Sequence, residues 1–420
     1  MIELTGKYET AKIFNDFVEP EAIKQIFEFI NHPMSKNSSV RIMPDVHAGR
    51  GCVIGYTALL TDKLVPNLVG ADIGCGITAW NLGKIKLTSV DFQEFDRFIR
   101  DNIPSGRDVN NYFQNLSYST AIDNVKEYFI SSEINAMVDK IGMGNQNFLD
   151  ILGTLGSGNH FLELDIDSSE NIWLVIHSGS RKAGNLIAKY HQNKAIKKLK
   201  DNLNRKIKIE EIKKKFTGKD IETEIKKLNT EKIKVTGLEY LQSSDLSEYL
   251  DDMKFAQKTA RINRAMMGYK ILNLFFHEFK PMISRIPITI ESIHNYIDFQ
   301  RGIIRKGAIS ANDHQGVIIP LNMADGILIG YGKGNPDWNY SAPHGAGRIM
   351  SRSKAKKEIN IDDFKNIMQT RKIWSNCVNA FTLDESPFAY KNSEEIIKYI
   401  EPTVQITERL RPIFSFKASN

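Results

Sequence analysis

The segment Val69-Gly-Ala-Asp-Ile-Gly-Cys-Gly76 has a pattern that recurs along the chain. A short apolar run ends, and glycines then turn the backbone. Asp72 and Cys75 lie three residues apart among those glycines. Glycine permits bends that bring a carboxylate and a thiolate to one point, and this ligand pair suits a transition dication. For this segment alone, a structural turn with a buried cysteine is the better interpretation.

Short strands and glycine turns continue on both sides of that segment, from about Val40 to Ile85 and again over residues 285–350. Apolar spacing elsewhere predicts a helix that begins at Pro20, mainly helical structure over residues 90–150, strands at Phe161–Leu164 and Trp173–Ile176, and a helix at Ser393–Ile400 before a basic C-terminal strand. These short strands and helices predict an α+β fold. Because no Pro/Ser-rich linker interrupts the chain, we expect one large domain over residues 1–420.

The longest helical pattern covers residues 184–274, and we expect it to form a helical arm inserted in that domain. Between Lys194 and Lys234 it carries 15 Lys or Arg against 7 Asp or Glu, whereas the whole chain has a formal charge of +6. Such a local excess suits an anionic partner such as nucleic acid. A solvated helical face explains it equally well, and charge alone does not separate the two.

Composition excludes several classes of protein. With 420 residues, 41% hydrophobic and 25% charged, the chain is neither disordered nor of low complexity. No apolar stretch approaches the ~20 residues that cross a bilayer, and the first residues lack a secretory pattern. The three cysteines, Cys52, Cys75 and Cys377, cannot build a disulfide framework. These features predict a cytoplasmic protein with no membrane attachment.

Three histidines lie at predicted strand-to-loop junctions like that of Asp72 and Cys75, namely His160, His177 and His294. A lone histidine of this kind is usually structural. Five possible ligands in the same context favour a metal centre instead, and a shared thiolate could hold two cations ~3.5–4 Å apart.

His344 lies in a different loop, Ser341-Ala-Pro-His-Gly-Ala-Gly-Arg348. Glycine-lined backbone N–H groups with an arginine make an anion site, and a neutral imidazole there can attack phosphorus. The sequence has no G-x-x-x-x-G-K-[ST] loop and no Lys-x-Asp-Gly string. If the protein transfers a nucleotide, histidine is therefore the nucleophile.

Taken together, these segments resemble the RtcB family of RNA-splicing ligases over essentially the whole chain. The matching strings are Pro44-Asp-Val-His47, Val69–Gly76, Gly156-Ser-Gly-Asn-His-Phe-Leu-Glu163, His177-Ser-Gly-Ser-Arg181, Asn263-Arg264, His294-Asn295, Arg305-Lys-Gly307 and His344–Arg348 with Ser351-Arg352. The resemblance implies a ligase that joins an RNA 3′-phosphate or 2′,3′-cyclic phosphate end to a 5′-hydroxyl end with GTP and two Mn²⁺ ions. It also implies RNA with broken ends as substrate, in repair or tRNA splicing, and an archease-like activator as a partner.

The resemblance assigns roles by motif. The implied metal ligands are Asp72, Cys75, His160, His177 and His294, and His344 is the implied guanylylated residue. The implied guanylate pocket comprises Asn159, His160, Phe161, Leu162, Glu163, His294, Asn295, Pro320, Leu321, Asn322, Met323, His344, Gly345, Ala346, Gly347 and Lys417. The implied contacts to RNA phosphates are Arg181, Arg348 and Arg352.

One position departs from the family pattern. Ile327 stands where the family usually has a serine, four residues after Met323, which removes a hydroxyl from nucleotide recognition. Two other functions compete with ligation. A metal-dependent phosphoesterase or nuclease would form no covalent nucleotide, and a non-catalytic RNA-binding protein would not need His344.

Overall fold

The computed structural model describes residues 1–110, 129–202, 205–230, 235–276 and 289–418. Its strands are β1 (Ile2–Thr5), β2 (Thr10–Ile13), β3 (Arg41–His47), β4 (Ile54–Leu59), β5 (Lys63–Leu64), β6 (Gly76–Asn81), β7 (Phe161–Ile166), β8 (Ile172–Ser178), β9 (Leu241–Gln242), β10 (Ile290–Ile293), β11 (Asn295–Asp298), β12 (Ile303–Lys306), β13 (Ala308–Ser310), β14 (Gly316–Asn322), β15 (Gly326–Gly332), β16 (Ser341–Pro343) and β17 (Val404–Lys417).

The helices are α1 (Pro20–Ile30), α2 (Ser89–Asn102), α3 (Ser131–Ile141), α4 (Asn145–Asp150), α5 (Arg181–Asn202), α6 (Arg205–Lys215), α7 (Lys219–Thr230), α8 (Ser244–Lys270), α9 (Arg352–Glu358), α10 (Ile361–Thr370) and α11 (Ser393–Ile400). The helices and strands together form the expected α+β fold. Within the described ranges, no helix is long and apolar enough to cross a membrane.

Two sheets dominate the fold. The first has the order β1-β2-β3-β4-β12-β11, and the second has the order β10-β6-β8-β7-β17-β15-β14. In the second sheet the register pairs Ile293 with Gly76, Gly76 with Ser178, His177 with Phe161, and Phe161 with Lys417. These positions therefore form a row across the same end of five neighbouring strands, with a step of one residue between Ser178 and His177. Cys75, His160 and His294 each lie one residue beyond that row.

Several predicted elements are confirmed. The helix that begins at Pro20 is α1, and Pro20 occupies its first turn, where a missing N–H costs no hydrogen bond. The predicted strands at Phe161–Leu164 and Trp173–Ile176 are the cores of β7 and β8, and the final helix is α11, followed by β17. Part of the predicted helical region over residues 90–150, residues 111–128, lies outside the described residues.

The segment expected as an inserted arm, residues 184–274, has two different parts. α6 and α7 carry exposed lysines. α8 instead packs in the interior, where Met253, Ala260 and Met267 are fully buried. The second half of the expected arm is therefore a core helix, because buried residues on most sides of α8 pack against the rest of the fold.

Candidate active site

Asp72, Cys75 and His160 form the first of two groups of candidate metal ligands, called ligand groups below. Nε2 of His160 lies 3.2 Å from Oδ2 of Asp72 and 3.4 Å from Sγ of Cys75. Nδ1 of His160 lies 2.8 Å from the carbonyl oxygen of Leu155. Because a carbonyl only accepts, Nδ1 carries the proton and Nε2 turns its lone pair toward the other two ligands. The backbone N–H of Ser180 donates to Oδ1 of Asp72 at 3.0 Å and holds the carboxylate in place.

Cys75, His177 and His294 form the second group and share the thiol with the first. Nε2 of His177 lies 3.4 Å from Sγ of Cys75 and 3.4 Å from Nε2 of His294. Cys75 and both histidines are buried, each 3% exposed. The two groups are therefore adjacent and have the Cys75 sulfur in common.

Burial controls the protonation of these ligands. It lowers the pKa of His177 and of His294 well below the ordinary value, with help from neighbouring imidazoles. Burial and the carboxylate of Asp72 raise the pKa of the Cys75 thiol. Burial also opposes ionisation of Asp72, but the neighbouring His160 imidazole and Arg181 guanidinium lower the pKa of that carboxyl below its usual value.

The donor set fits divalent transition cations. Neutral imidazoles, a thiolate and a carboxylate are ligands of Mn²⁺, Zn²⁺ and Fe²⁺, and their lone pairs converge here within 4.8 Å in each group. Nδ1 of His294 is buried without a hydrogen-bond partner among the described residues. The donor types of the five side chains are thus compatible with one cation in each group.

α8 holds the loops that carry the ligands. The fully buried guanidinium of Arg264 donates to the carbonyl oxygens of Gly74 at 3.0 Å and Ser178 at 2.8 Å. Asn263 donates to the carbonyl oxygen of Thr154 at 3.0 Å. One turn of one helix therefore fixes three separate chain segments around the ligand groups.

His344 follows β16 and lies beside the second ligand group, with its ring centroid 4.9 Å from that of His294. Nδ1 of His344 lies 2.6 Å from Oδ2 of Asp45, and the His344 backbone N–H donates to the same oxygen at 3.2 Å. Asp45 is fully buried in β3. Because the carboxylate accepts the Nδ1 proton, Nε2 of His344 keeps a free lone pair. The imidazole is oriented as a nucleophile would be.

A cavity of about 260 Å³ opens beside His344. The residues predicted for a guanylate pocket that line it are Asn159, Phe161, Glu163, His294, Asn295, Pro320, Leu321, Asn322, Met323, His344, Gly345, Ala346, Gly347 and Lys417. The turn between β14 and β15, the His344 loop, the start of β7 and the end of β17 therefore enclose one space.

Glu163 and Lys417 both lie in that wall. Oε1 of Glu163 accepts from the Ser415 hydroxyl at 2.8 Å, and Nζ of Lys417 donates to Oε2 of Glu385 at 2.8 Å. Burial raises the pKa of Glu163 to about 7, although Lys417 opposes the shift. Burial works against ionised Glu385 too, but Lys417 and Arg352 bring its pKa down to about 2. The wall thus offers a buried ammonium donor next to a carboxyl acceptor.

Three predicted residues do not line the cavity, namely His160, Leu162 and Arg181. His160, predicted for the guanylate pocket as well as for a metal, lies with Asp72 and Cys75 instead. Leu162 is fully buried in the apolar cluster that contains Leu174 and Phe414. Successive strand residues point to opposite faces, so the neighbours of Leu162 face the cavity and Leu162 does not. Arg181 is half-buried behind His160, with Nε donating to the Thr154 hydroxyl at 3.2 Å.

The other two predicted phosphate contacts, Arg348 and Arg352, line the cavity. Both already have acidic partners. Arg352 donates to Asp384 at 2.6 Å and to Glu385 at 2.5 Å, and Arg348 lies 3.4 Å from Glu385. Their positions suit a phosphate ligand, although any such contact competes with these ion pairs.

Asp45 and Glu385 belong to the site, although the sequence assigned no role to either. Asp45 lies inside the quoted string Pro44-Asp-Val-His47, so its place in the motif was the available signal. Glu385 joins Arg348, Arg352 and Lys417 but follows no recognisable motif.

Comparison with known proteins gives one consistent result. A family model described as tRNA-splicing ligase RtcB matches residues 25–418. The RNA-splicing ligase RtcB of Escherichia coli strain K12 is 30% identical over 420 residues, covering 95% of each chain. The tRNA-splicing ligase RtcB of Nanoarchaeum equitans is 26% identical over 452 residues, covering 90% of this chain and 87% of the relative. A second Escherichia coli relative, RNA-splicing ligase RtcB2, is 24% identical over 429 residues, covering 96% of this chain and 93% of its own.

Proposed function

The chain belongs to the RtcB family of RNA-splicing ligases, and from that membership we propose that it joins RNA 3′-phosphate or 2′,3′-cyclic phosphate ends to 5′-hydroxyl ends with GTP and Mn²⁺. The observation that carries the proposal is the position of His344. Its imidazole, oriented by Asp45, stands beside two ligand groups that share Cys75.

In this proposal, Asp72, Cys75 and His160 hold one Mn²⁺, and Cys75, His177 and His294 hold the second. Bound there, the two cations would neutralise phosphate charge next to the reacting atoms. The neutral state of the buried imidazoles supports this assignment, since a protonated imidazole cannot ligate a metal.

His344 is the proposed nucleophile. Its Nε2 attacks the α-phosphorus of GTP, an N–P bond forms, and the bond to pyrophosphate breaks. The ring becomes positively charged in this step, and the carboxylate of Asp45, 2.6 Å from Nδ1, stabilises that charge. The guanylate then passes to the RNA 3′-phosphate, where the 5′-hydroxyl displaces GMP.

Glu163 and Lys417 are the proposed readers of the base. Guanine presents N–H donors at N1 and N2 and an acceptor at O6, which complement a carboxylate and an ammonium group respectively. Ile327 is buried in an apolar cluster with Phe161, so no hydroxyl of its own contributes to this recognition. In this chain, preference for GTP would depend on the Glu163–Lys417 pair.

RNA with broken ends is the proposed substrate, in repair or tRNA splicing, with Arg181, Arg348 and Arg352 as phosphate contacts and an archease-like protein as activator. The test uses two purified oligonucleotides, one ending in a 3′-phosphate and one beginning with a 5′-hydroxyl. We expect joining only with both GTP and Mn²⁺, and no joining when the acceptor carries a 5′-phosphate. Joining supported equally by ATP, or hydrolysis of the ends without joining, would contradict the proposal.

A further inference from the structure

His47, the last residue of β3, lines the same cavity as His344. Its Nδ1 lies 2.9 Å from the carbonyl oxygen of Asp45, so Nδ1 carries the proton and Nε2 is an acceptor. Among the described residues, no side chain donates a hydrogen bond to that Nε2. Asp45 therefore orients two imidazoles in one cavity, His344 through its carboxylate and His47 through its carbonyl.

The proposed reaction needs one group that the residues assigned above do not supply. In the sealing step the RNA 5′-hydroxyl loses its proton while its oxygen attacks the activated 3′-phosphate. His160, His177 and His294 are committed as ligands, and the arginines cannot accept a proton. The group most often used as a general base in enzymes is a neutral imidazole with an unprotonated nitrogen at the cavity wall.

We infer that His47 is the general base of the sealing step, an assignment that rests on the proposed function. Its Nε2 accepts the 5′-hydroxyl proton as the new P–O bond forms. The P–O bond to the guanylate breaks with its electron pair, and GMP leaves as a phosphate monoester. His47 then returns its proton to water. No redox partner or further reactant is required.

The charges around His47 agree with this role. Burial lowers the pKa of His47 to about 4, so the ring is unprotonated near neutral pH, as a base must be. The groups that face it are the carboxylate of Asp45, the ring of His344 and the ammonium group of Lys391, which donates to the carbonyl oxygen of Val46 at 2.5 Å. Bound phosphate groups add negative charge, which favours the imidazolium that forms during the step.

The reaction divides into three assays with a linear 3′-phosphate RNA. Labelled GTP reports the protein adduct, a donor strand without acceptor reports guanylate transfer to RNA, and isolated activated RNA with a 5′-hydroxyl strand reports sealing alone. For His47→Gln we expect the first two within about threefold of wild type and sealing slower by about 100- to 10,000-fold. His314→Gln is the matched control, since that side chain is 91% exposed on a turn.

Two further measurements separate a base from a residue that only maintains the cavity. In wild type, the sealing rate should reach a plateau with rising pH, whereas in His47→Gln it should keep rising about tenfold per pH unit as hydroxide replaces the base. Added imidazole should restore sealing in His47→Ala. His344→Ala, given activated RNA, should still seal.

Each contrary result overturns the inference. Normal sealing in His47→Gln would do so. So would the reverse pattern, in which His344→Ala abolishes sealing and His47→Gln retains it. Loss of the protein adduct in His47→Gln would mean that His47 acts on His344 instead. A wild-type protein that forms no adduct would overturn the proposed function as well, whereas a normal adduct with normal sealing in His47→Gln overturns only this inference.

Discussion

Two clusters in this molecule contain similar ligand types but differ in how their charges are balanced. One is the pair of groups that share Cys75, and the other is His191, Glu248 and Asp252 between α5 and α8. Within each of these three groups, the donor atoms lie within 4.8 Å of one another. Residue type and proximity therefore do not distinguish them.

The charged side chains that surround each cluster do distinguish the two. In the second cluster, Nζ of Lys140 lies 2.8 Å from Asp252 and 3.1 Å from Glu248, and His191 lies 2.7 Å from Asp252. Lys194 also contacts Glu248. The lysines supply the positive charge that a cation would bring. In the first cluster, imidazole nitrogens face each other and a thiol, so the lone pairs converge on a point that a metal ion can occupy.

The largest expected effect is that of Cys75→Ala on the first cluster. Because the sulfur belongs to both ligand groups, its loss should weaken both ions, lower Mn²⁺ content after desalting and reduce ligation by at least about 100-fold. Metal analysis and the two-oligonucleotide assay measure this. Cys52→Ala and Cys377→Ala serve as controls, since neither cysteine belongs to a ligand group among the described residues. Normal metal content in Cys75→Ala would remove the distinction between the two clusters.

Asp252→Asn tests the second cluster. Removing one charge from this partly buried ion-pair network leaves Lys140 with Glu248 as its remaining partner, and we expect a loss of about 1–3 kcal/mol in the free energy of unfolding. Mn²⁺ content and ligation by the folded fraction should not change. The exposed neighbour Asp251→Asn is the control and should cost less than about 1 kcal/mol. A drop in bound metal in Asp252→Asn would show that the second cluster also holds an ion.

Proton release on metal binding is a further property that we expect only of the first cluster, because it contains the Cys75 thiol. Burial keeps the pKa of Cys75 above its ordinary value, so the thiol is protonated at pH 7 and must lose a proton to become a ligand. Binding of Mn²⁺ should therefore release about one proton, and affinity should rise about tenfold per pH unit. Calorimetry in buffers of different ionisation enthalpy measures this release. No proton release from wild type at pH 7 would contradict the assigned bridging thiolate.

The smallest expected effect concerns exposed lysines that belong to neither cluster. Lys197 and Lys213–Lys215 are exposed on α5 and α6. Replacing these four lysines with glutamine should weaken RNA binding a few-fold and flatten its salt dependence if they contact phosphates. Mn²⁺ content and the guanylate adduct should stay at wild-type values. An unchanged salt slope would mean that this face is only solvated.

The proximity of Cys75, His160, His177 and His294 was predictable because each lies within or beside the end of a strand, and the register of one sheet brings those ends together. Asp72 lies four residues before β6, in the glycine-rich loop that also carries Cys75. The partner of His344 was not predictable from the sequence. Asp45 is 299 residues away in the chain, and only the packing of β3 against the His344 loop brings the two residues together. The core position of α8 was also missed, because apolar spacing identifies a helix without showing how many of its sides are covered.

The central claim is that His344 carries the guanylate, and labelling with α-phosphate-labelled GTP and Mn²⁺ tests it most directly. Wild type should give a labelled protein band that acid and hydroxylamine remove and alkali does not, as for a phosphoramidate. His344→Ala should give no band while keeping its Mn²⁺, because His344 belongs to neither ligand group. His344→Asn, which can still donate to Asp45, should also give none and excludes loss through misfolding. A labelled band in either variant, or an acid-stable band in wild type, would contradict the claim.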